Sequence, residues 1–219
     1  MSSKSKTFTF TSRGKTFGNY WLAYSNKIGE VLNLVSDREV AHWVLNLEFN
    51  SNIKSFQFGN FSTELEKLGT DAQLKYRVIV HDSNGVEYQR VTVAKTEKNT
   101  YLEKQIDSTL WRERHIRFRH LCDDDFIPDK QKIFPLLRLS GFLSACREQY
   151  MPPNLVESCN IYIRTFRHGN LLSYLASMSA FDQTLCMLHI YRLYNQGVVD
   201  MQFDESPFYT SSTWRLVDE

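Results

Sequence analysis

The chain has 219 residues, 42% hydrophobic and 14% aromatic, with 26 Lys and Arg against 25 Asp and Glu and a formal net charge of +1. That is enough apolar material for one sizeable domain or two small ones, and too much for a disordered tail. Near-neutrality excludes nucleic-acid binding through bulk charge and leaves only a local basic face to do it.

Residues 1–19 are polar, and Arg13 and Lys15 there read as part of a solvated arm. No apolar centre of a signal peptide follows Met1, and no apolar run approaches the roughly 18 residues of a membrane span, so no membrane partner is expected. A hairpin is expected over 20–35, turning at Asn26-Lys27-Ile28-Gly29. Ser36 and Glu39 then have the S-x-x-E spacing of a capping box. Val40, Trp43, Val44 and Leu47 recur at i, i+3, i+4 and i+7, which predicts an amphipathic helix with Glu39 on the border of its apolar stripe. Glu39 is then either a cap alone or a carboxylate turned toward the sheet.

A strand is expected over 53–61. A second alternates Leu74, Tyr76, Val78 and Val80 with Lys75, Arg77, Ile79 and His81, turns at Ser83-Asn84-Gly85 and returns over 86–95. A three-residue loop with glycine in the left-handed position is expected, because it sets Arg77, Val93 and Lys95 on one face. A Glu on a helix, followed by two strands each carrying an ionisable residue, is how restriction-endonuclease-like folds build a metal-dependent DNA-cleaving site.

A helix is expected over 99–113. Arg112, Arg114, Arg117 and Arg119, with His115 and His120, then form the densest basic stretch, alternating with Ile116, Phe118 and Leu121. The pattern suits a strand whose basic face is either a DNA-facing rim or a solvated edge. Asp123, Asp124 and Asp125 read as a helix cap, since consecutive acids seldom converge on one ion. Cys122, Cys146, Cys159 and Cys186 form no zinc-type spacing and read as reduced, buried thiols of a cytosolic protein.

From Ile127-Pro128 the chain changes character, with helices expected over 135–150, 154–167, 171–178 and 181–195. Gly197 is the expected C-cap and 198–203 a strand, an ending of winged-helix type. Trp214 should dock the tail. The expected fold is α/β: a restriction-endonuclease-like mixed sheet flanked by helices over 1–126, followed by a mostly helical, winged-helix-like domain over 127–219.

Two stretches, Tyr24-Ser25-Asn26-Lys27-Ile28-Gly29-Glu30-Val31 and Leu34-Val35-Ser36-Asp37-Arg38-Glu39-Val40, resemble the TnsA family, the endonuclease subunits of heteromeric cut-and-paste transposases. Its pattern is a Tyr-Ser-x-Lys-x-Gly turn, a strand, then Leu-x-Ser-Asp-x-Glu opening a helix. The likeness covers the N-terminal half; beyond it only the size and the helix-Gly-strand ending agree. It implies Mg²⁺-dependent nicking at the 5′ ends of a transposon, a TnsB-like transposase that cuts the 3′ ends, and a C-terminal domain engaging a TnsC-like AAA+ ATPase. It also implies a bacterial, cytoplasmic, nucleoid-associated location. Carried over, Glu39 matches the helix-borne catalytic Glu and Lys95 the catalytic Lys. Val93 stands where the family has Gln, and Arg77 where it has the metal-binding Asp. Mg²⁺ wants hard oxygen ligands, commonly one or two carboxylates, so the resemblance with this departure implies a pseudo-nuclease of a mobile genetic element. Such a subunit would bind transposon ends and assemble with its partners. The alternative is an active Mg²⁺ endonuclease with Glu39 as metal ligand and a carboxylate relocated to Asp82 or Glu87. A third reading places the same fold in a phage or defence role.

Overall fold

The computed structural model describes residues 8–10, 19–61, 76–95, 116–203 and 206–217. The expected helix over 99–113, the segment 63–70, and Arg13, Lys15, Arg112 and Arg114 lie outside them.

Strands β1 (Trp21–Ser25) and β2 (Glu30–Leu34) form an antiparallel hairpin with Trp21 opposite Leu34 and Ser25 opposite Glu30. Gly29 sits at φ +71° and donates its N–H to the Ser25 carbonyl at 3.0 Å, closing the turn in a conformation that disfavours a side chain. Helix α1 (Asp37–His42) follows and continues as a π-helical stretch, Trp43–Glu48. The sequence pattern foresaw a helix but not its widening. The wider turn brings together residues five apart, and Trp43 Nε1 donates to Glu48 Oε2 at 2.9 Å.

The main sheet is mixed, in the order β3-β4-β5-β6. Its strands are β3 (Ile53–Phe58), β4 (Val78–Asp82), β5 (Gly85–Val91) and β6 (Ile116–Leu121), the last running parallel to β5. One face, with Val78, Val80 and Leu121, joins Val40, Trp43, Val44 and Leu47 in a buried core. The other carries Phe61, Tyr76, Tyr88 and Phe118, with Tyr76 and Phe118 ring centroids 5.1 Å apart. Burying one such large side chain contributes about 1.5–3 kcal/mol.

The β4–β5 loop is shorter than expected. Ser83 and Asn84 alone form it, and Asp82 pairs with Gly85. The Asp82 carboxylate accepts the Asn84 N–H at 2.7 Å, an Asx turn that closes the hairpin one residue early. This slip moves every residue of the return strand by one place relative to β4.

After β6 come helix α2 (Asp123–Phe126), a 3₁₀ stretch (Ile127–Lys132), α3 (Ile133–Ala145), α4 (Pro153–Phe166), α5 (Leu171–Ser177) and α6 (Gln183–Asn195). Ile133 and Leu136 of α3 belong to the first core, whereas Leu139 and Leu143 belong to a second, built with α4, α5 and α6. Gly197, at φ +76°, caps α6; a Cβ there would collide with Ser51 Cβ, so the close approach also requires glycine. The region ends in a small sheet, β7-β9-β8, of β7 (His168–Asn170), β8 (Val199–Gln202) and β9 (Thr213–Leu216). Trp214, expected only to dock the tail, is 2% exposed in the central strand of that sheet. Among the described residues no helix is long and apolar enough to cross a membrane.

Glu48, fully buried, ties the hairpin to the helix. Its Oε1 accepts the Asn26 and Lys27 N–H groups at 2.8 and 3.1 Å, and its Oε2 accepts the Ser25 hydroxyl and the Trp43 indole at 2.5 and 2.9 Å. All four groups are donors. In Glu48→Gln, whichever way the amide turns, its NH₂ meets at least one buried N–H. Urea unfolding should show a loss of about 1–3 kcal/mol, the cost of one buried donor left without an acceptor; an unchanged midpoint would mean that the turn does not depend on this carboxylate.

Candidate functional site

The Ser36-Asp37-Arg38-Glu39 segment uses every side chain. Ser36 Oγ accepts the Glu39 N–H at 3.2 Å and opens α1. Asp37 Oδ1 accepts from Asn19 Nδ2 at 2.8 Å and Trp21 Nε1 at 3.0 Å. Arg38 makes a two-pronged pair with Asp123, at 2.6 and 2.8 Å, and its guanidinium also lies 5.7 Å from the Phe10 ring centre. Glu39, 4% exposed, has both oxygens engaged: Oε2 accepts the Val35 N–H at 2.8 Å and Oε1 faces Arg77 Nε at 3.1 Å. It therefore reaches one residue past the cap that a standard capping box would bridge.

Glu39 and Arg77 are thus brought together. The regular pairing of β3 with β4 stops at Val78, and Arg77 comes to the helix from the irregular step before it, with its own N–H donated to the Gln89 carbonyl at 3.1 Å. Lys95 stands elsewhere, paired with Asp125 at 3.0 Å, and Val93 is more than half exposed beyond the end of β5. The short loop opposes Gln89 to Val78, a register one place off the one that would set Arg77, Val93 and Lys95 on one face, and β5 ends at Val91, before Val93 and Lys95. Burial pushes the Asp125 carboxyl up, but the Cys122 N–H and the Lys95 ammonium outweigh it and hold the group below its ordinary range.

The register puts other residues beside the helix. Asn46 Nδ2 donates to His42 Nδ1 at 3.2 Å, and the opposite ring nitrogen donates to Gln89 Oε1 at 2.6 Å. Gln89 Nε2 donates in turn to Glu87, which faces Arg117 at 3.6 Å; Arg117 also pairs with Asp82. The Arg117 hydrogen bond is the main reason that the Asp82 carboxyl lies below its ordinary value, against a smaller opposing effect of burial. Of the expected basic rim, Arg117 is therefore engaged by two carboxylates, and Arg119 is exposed. Periodicity could not find this network, because it depends on the loop length; once Asp82 pairs with Gly85, Glu87 and Gln89 share the face that meets His42, one turn after Glu39.

The amide of Gln89 cannot carry a proton onward, so the chain orients side chains and does not conduct. Nor do the residues around Glu39 fit a divalent ion. Both carboxylate oxygens are committed, a guanidinium stands at the nearer one, and among the described residues no three His, Cys, Asp or Glu side chains converge as a ligand set. At about 4 Å and an effective dielectric near 20, a guanidinium opposes each unit of a cation's charge by about 4 kcal/mol. The chain matches no protein-family model, and no curated protein matches it.

Burial depresses His42 to about 4; the Gln89 hydrogen bond opposes this and Arg119 adds to it. An unfolded imidazole titrates near 6.5, so between about pH 6.5 and 4 the unfolded chain binds the extra proton. Stability therefore falls with pH through that window, by up to about 1.4 kcal/mol per unit. His189, lowered by its own burial and by Arg192, acts in the same sense. The urea midpoint should drop from about pH 7 to about pH 5, and His42→Gln should shrink that drop. An equal drop in both proteins would remove His42 as the responsible group.

Proposed function

We propose that this chain is a TnsA-like subunit of a DNA transposition complex, with a restriction-endonuclease-like N-terminal fold, a winged-helix-like C-terminal region and an inactivated metal site. It acts by binding transposon-end DNA and by assembling with a TnsB-like transposase and a TnsC-like AAA+ ATPase. The observation that carries this reading is the Glu39–Arg77 ion pair: the helix-borne carboxylate is kept, and its partner is a guanidinium where the resemblance calls for a carboxylate. The order of elements supports the fold half of the proposal: a hairpin, a helix opened by Ser36, then a sheet whose second strand follows directly on Arg77. The helix α6, Gly197 and strand β8 succession supports the winged-helix half.

An active enzyme with a relocated carboxylate finds less support, because Asp82 and Glu87 are both held by Arg117. Lys95 is likewise drawn to Asp125 and not to Glu39. Exposed Arg119 is the remaining described arginine of the basic stretch that would face a phosphate backbone.

The test is incubation of the full chain with transposon-end DNA and Mg²⁺ or Mn²⁺, with and without the partner transposase and ATPase. The expected result is DNA retention with no metal-dependent nick attributable to this chain. Nicking that disappears in Glu39→Gln would overturn the proposal in favour of the active enzyme.

A further inference from the structure

A second site lies where the β1–β2 turn meets the C-terminal ends of α3 and α6. A cleft of about 550 Å³ opens there, and four cations line it: Lys27, Lys54, Arg147 and Arg192. Among the described residues no carboxylate lines it. In a chain whose net charge is +1, four like charges around one concavity are a concentrated local field.

Two of the cations form a fixed floor. Lys27 Nζ donates to the Asn50 and Ile53 carbonyls at 2.9 and 3.3 Å, which leaves one of its three N–H groups. Arg192 places one amino group on the Cys146 carbonyl at 2.9 Å, with longer contacts to the Arg147 and Gln149 carbonyls, and so caps the end of α3. Capping of carbonyls accounts for these two in part, and in part for Arg147, whose Nη1 donates to the Ser144 carbonyl at 3.1 Å; it does not account for Lys54. Lys54 is exposed on β3 and makes no ion pair among the described residues. Arg147 lies 5.3 Å from the Tyr24 ring centre, and its one acidic contact, 3.4 Å to Glu148, is with a side chain 87% exposed, where solvent screens the pair. The floor is thus rigid and the rim is under-compensated. Burial lowers the Lys27 ammonium, an effect that Glu48 only partly opposes, and an anion in the cleft would reverse it. Guanidinium forks and ammonium point charges together suit phosphate oxygens, and Asn26 adds an amide at the wall.

We propose that this cleft is a phosphate-binding site. Its ligand is either a backbone phosphate of a nucleic-acid strand or a free phosphate compound, and the site stands independently of any role in transposition.

The test uses the full chain and the charge-reversal variant Lys54→Glu/Arg147→Glu, both positions being partly or fully exposed, with Lys54→Gln/Arg147→Gln as a milder pair. Inorganic pyrophosphate is titrated by calorimetry, and a short duplex DNA by fluorescence anisotropy over a salt series. The reversal should weaken binding of at least one probe by about tenfold or more, and the milder pair by less. If the source is a nucleic acid, the slope of log K against log salt should also fall by about two, one for each lost phosphate contact. Weakened DNA binding with pyrophosphate unbound assigns the site to a strand backbone; weakened pyrophosphate binding with DNA unaffected assigns it to a free phosphate compound. Absence of binding to both probes, or affinities that neither variant alters, would overturn the proposal.

Discussion

A carboxylate taken out of water needs every lone pair answered, and Glu39 is answered from two directions. The Val35 N–H fixes one oxygen to the chain just before the helix, and the Arg77 guanidinium fixes the other to the step before β4. Helix α1 is thereby clamped over β4 and β5, and Val40 and Val44 are delivered to the sheet core. The same clamp determines what chemistry is open to the site. A buried acid beside a guanidinium is electrically satisfied and has little affinity left for a divalent ion.

Around that clamp the structure settles its other charges in the same way. Arg38 locks to Asp123, Arg117 to Asp82 and Glu87, and Lys95 to Asp125. Each pair joins residues far apart in sequence, so together they fix how α1, the hairpin and the start of α2 sit against one another. His42 and Gln89 extend the order with neutral groups, as a deep position requires of an imidazole held well below its ordinary pKa. The result is a polar layer beneath the helix that specifies register. In the cationic cleft at the β1–β2 turn, by contrast, Arg147 has only an exposed, screened counterpart, and Lys54 makes no ion pair among the described residues.

Much of the local structure was legible in the sequence because it follows from short-range chemistry. Ser36 announces the start of α1, the alternation around Val78 announces β4, and Gly29 and Gly197 mark positions where backbone conformation demands glycine. The helices of the second half are equally plain from their periodicity. The candidate site was less legible, because one residue of loop length decides it. Asp82, through its own side chain, tightens the turn to Ser83-Asn84, which sets Gln89 on the face beneath the helix, and β5 ends at Val91, before Val93 and Lys95. Neither Glu48, gathering four donors from two elements, nor Trp214, completing a sheet with strands far upstream, follows any periodic pattern. Such contacts are set by tertiary packing, which single-residue propensities do not carry.

The most direct measurement is titration of Mn²⁺ followed by electron paramagnetic resonance, in the wild-type chain and in Arg77→Asp. If the guanidinium is what keeps a divalent ion from Glu39, the wild type will leave the free-ion signal intact. Arg77→Asp will deplete that signal, and adding Glu39→Gln to it will abolish the depletion. Depletion of the signal by the wild type, removed by Glu39→Gln alone, would contradict the claim at its root.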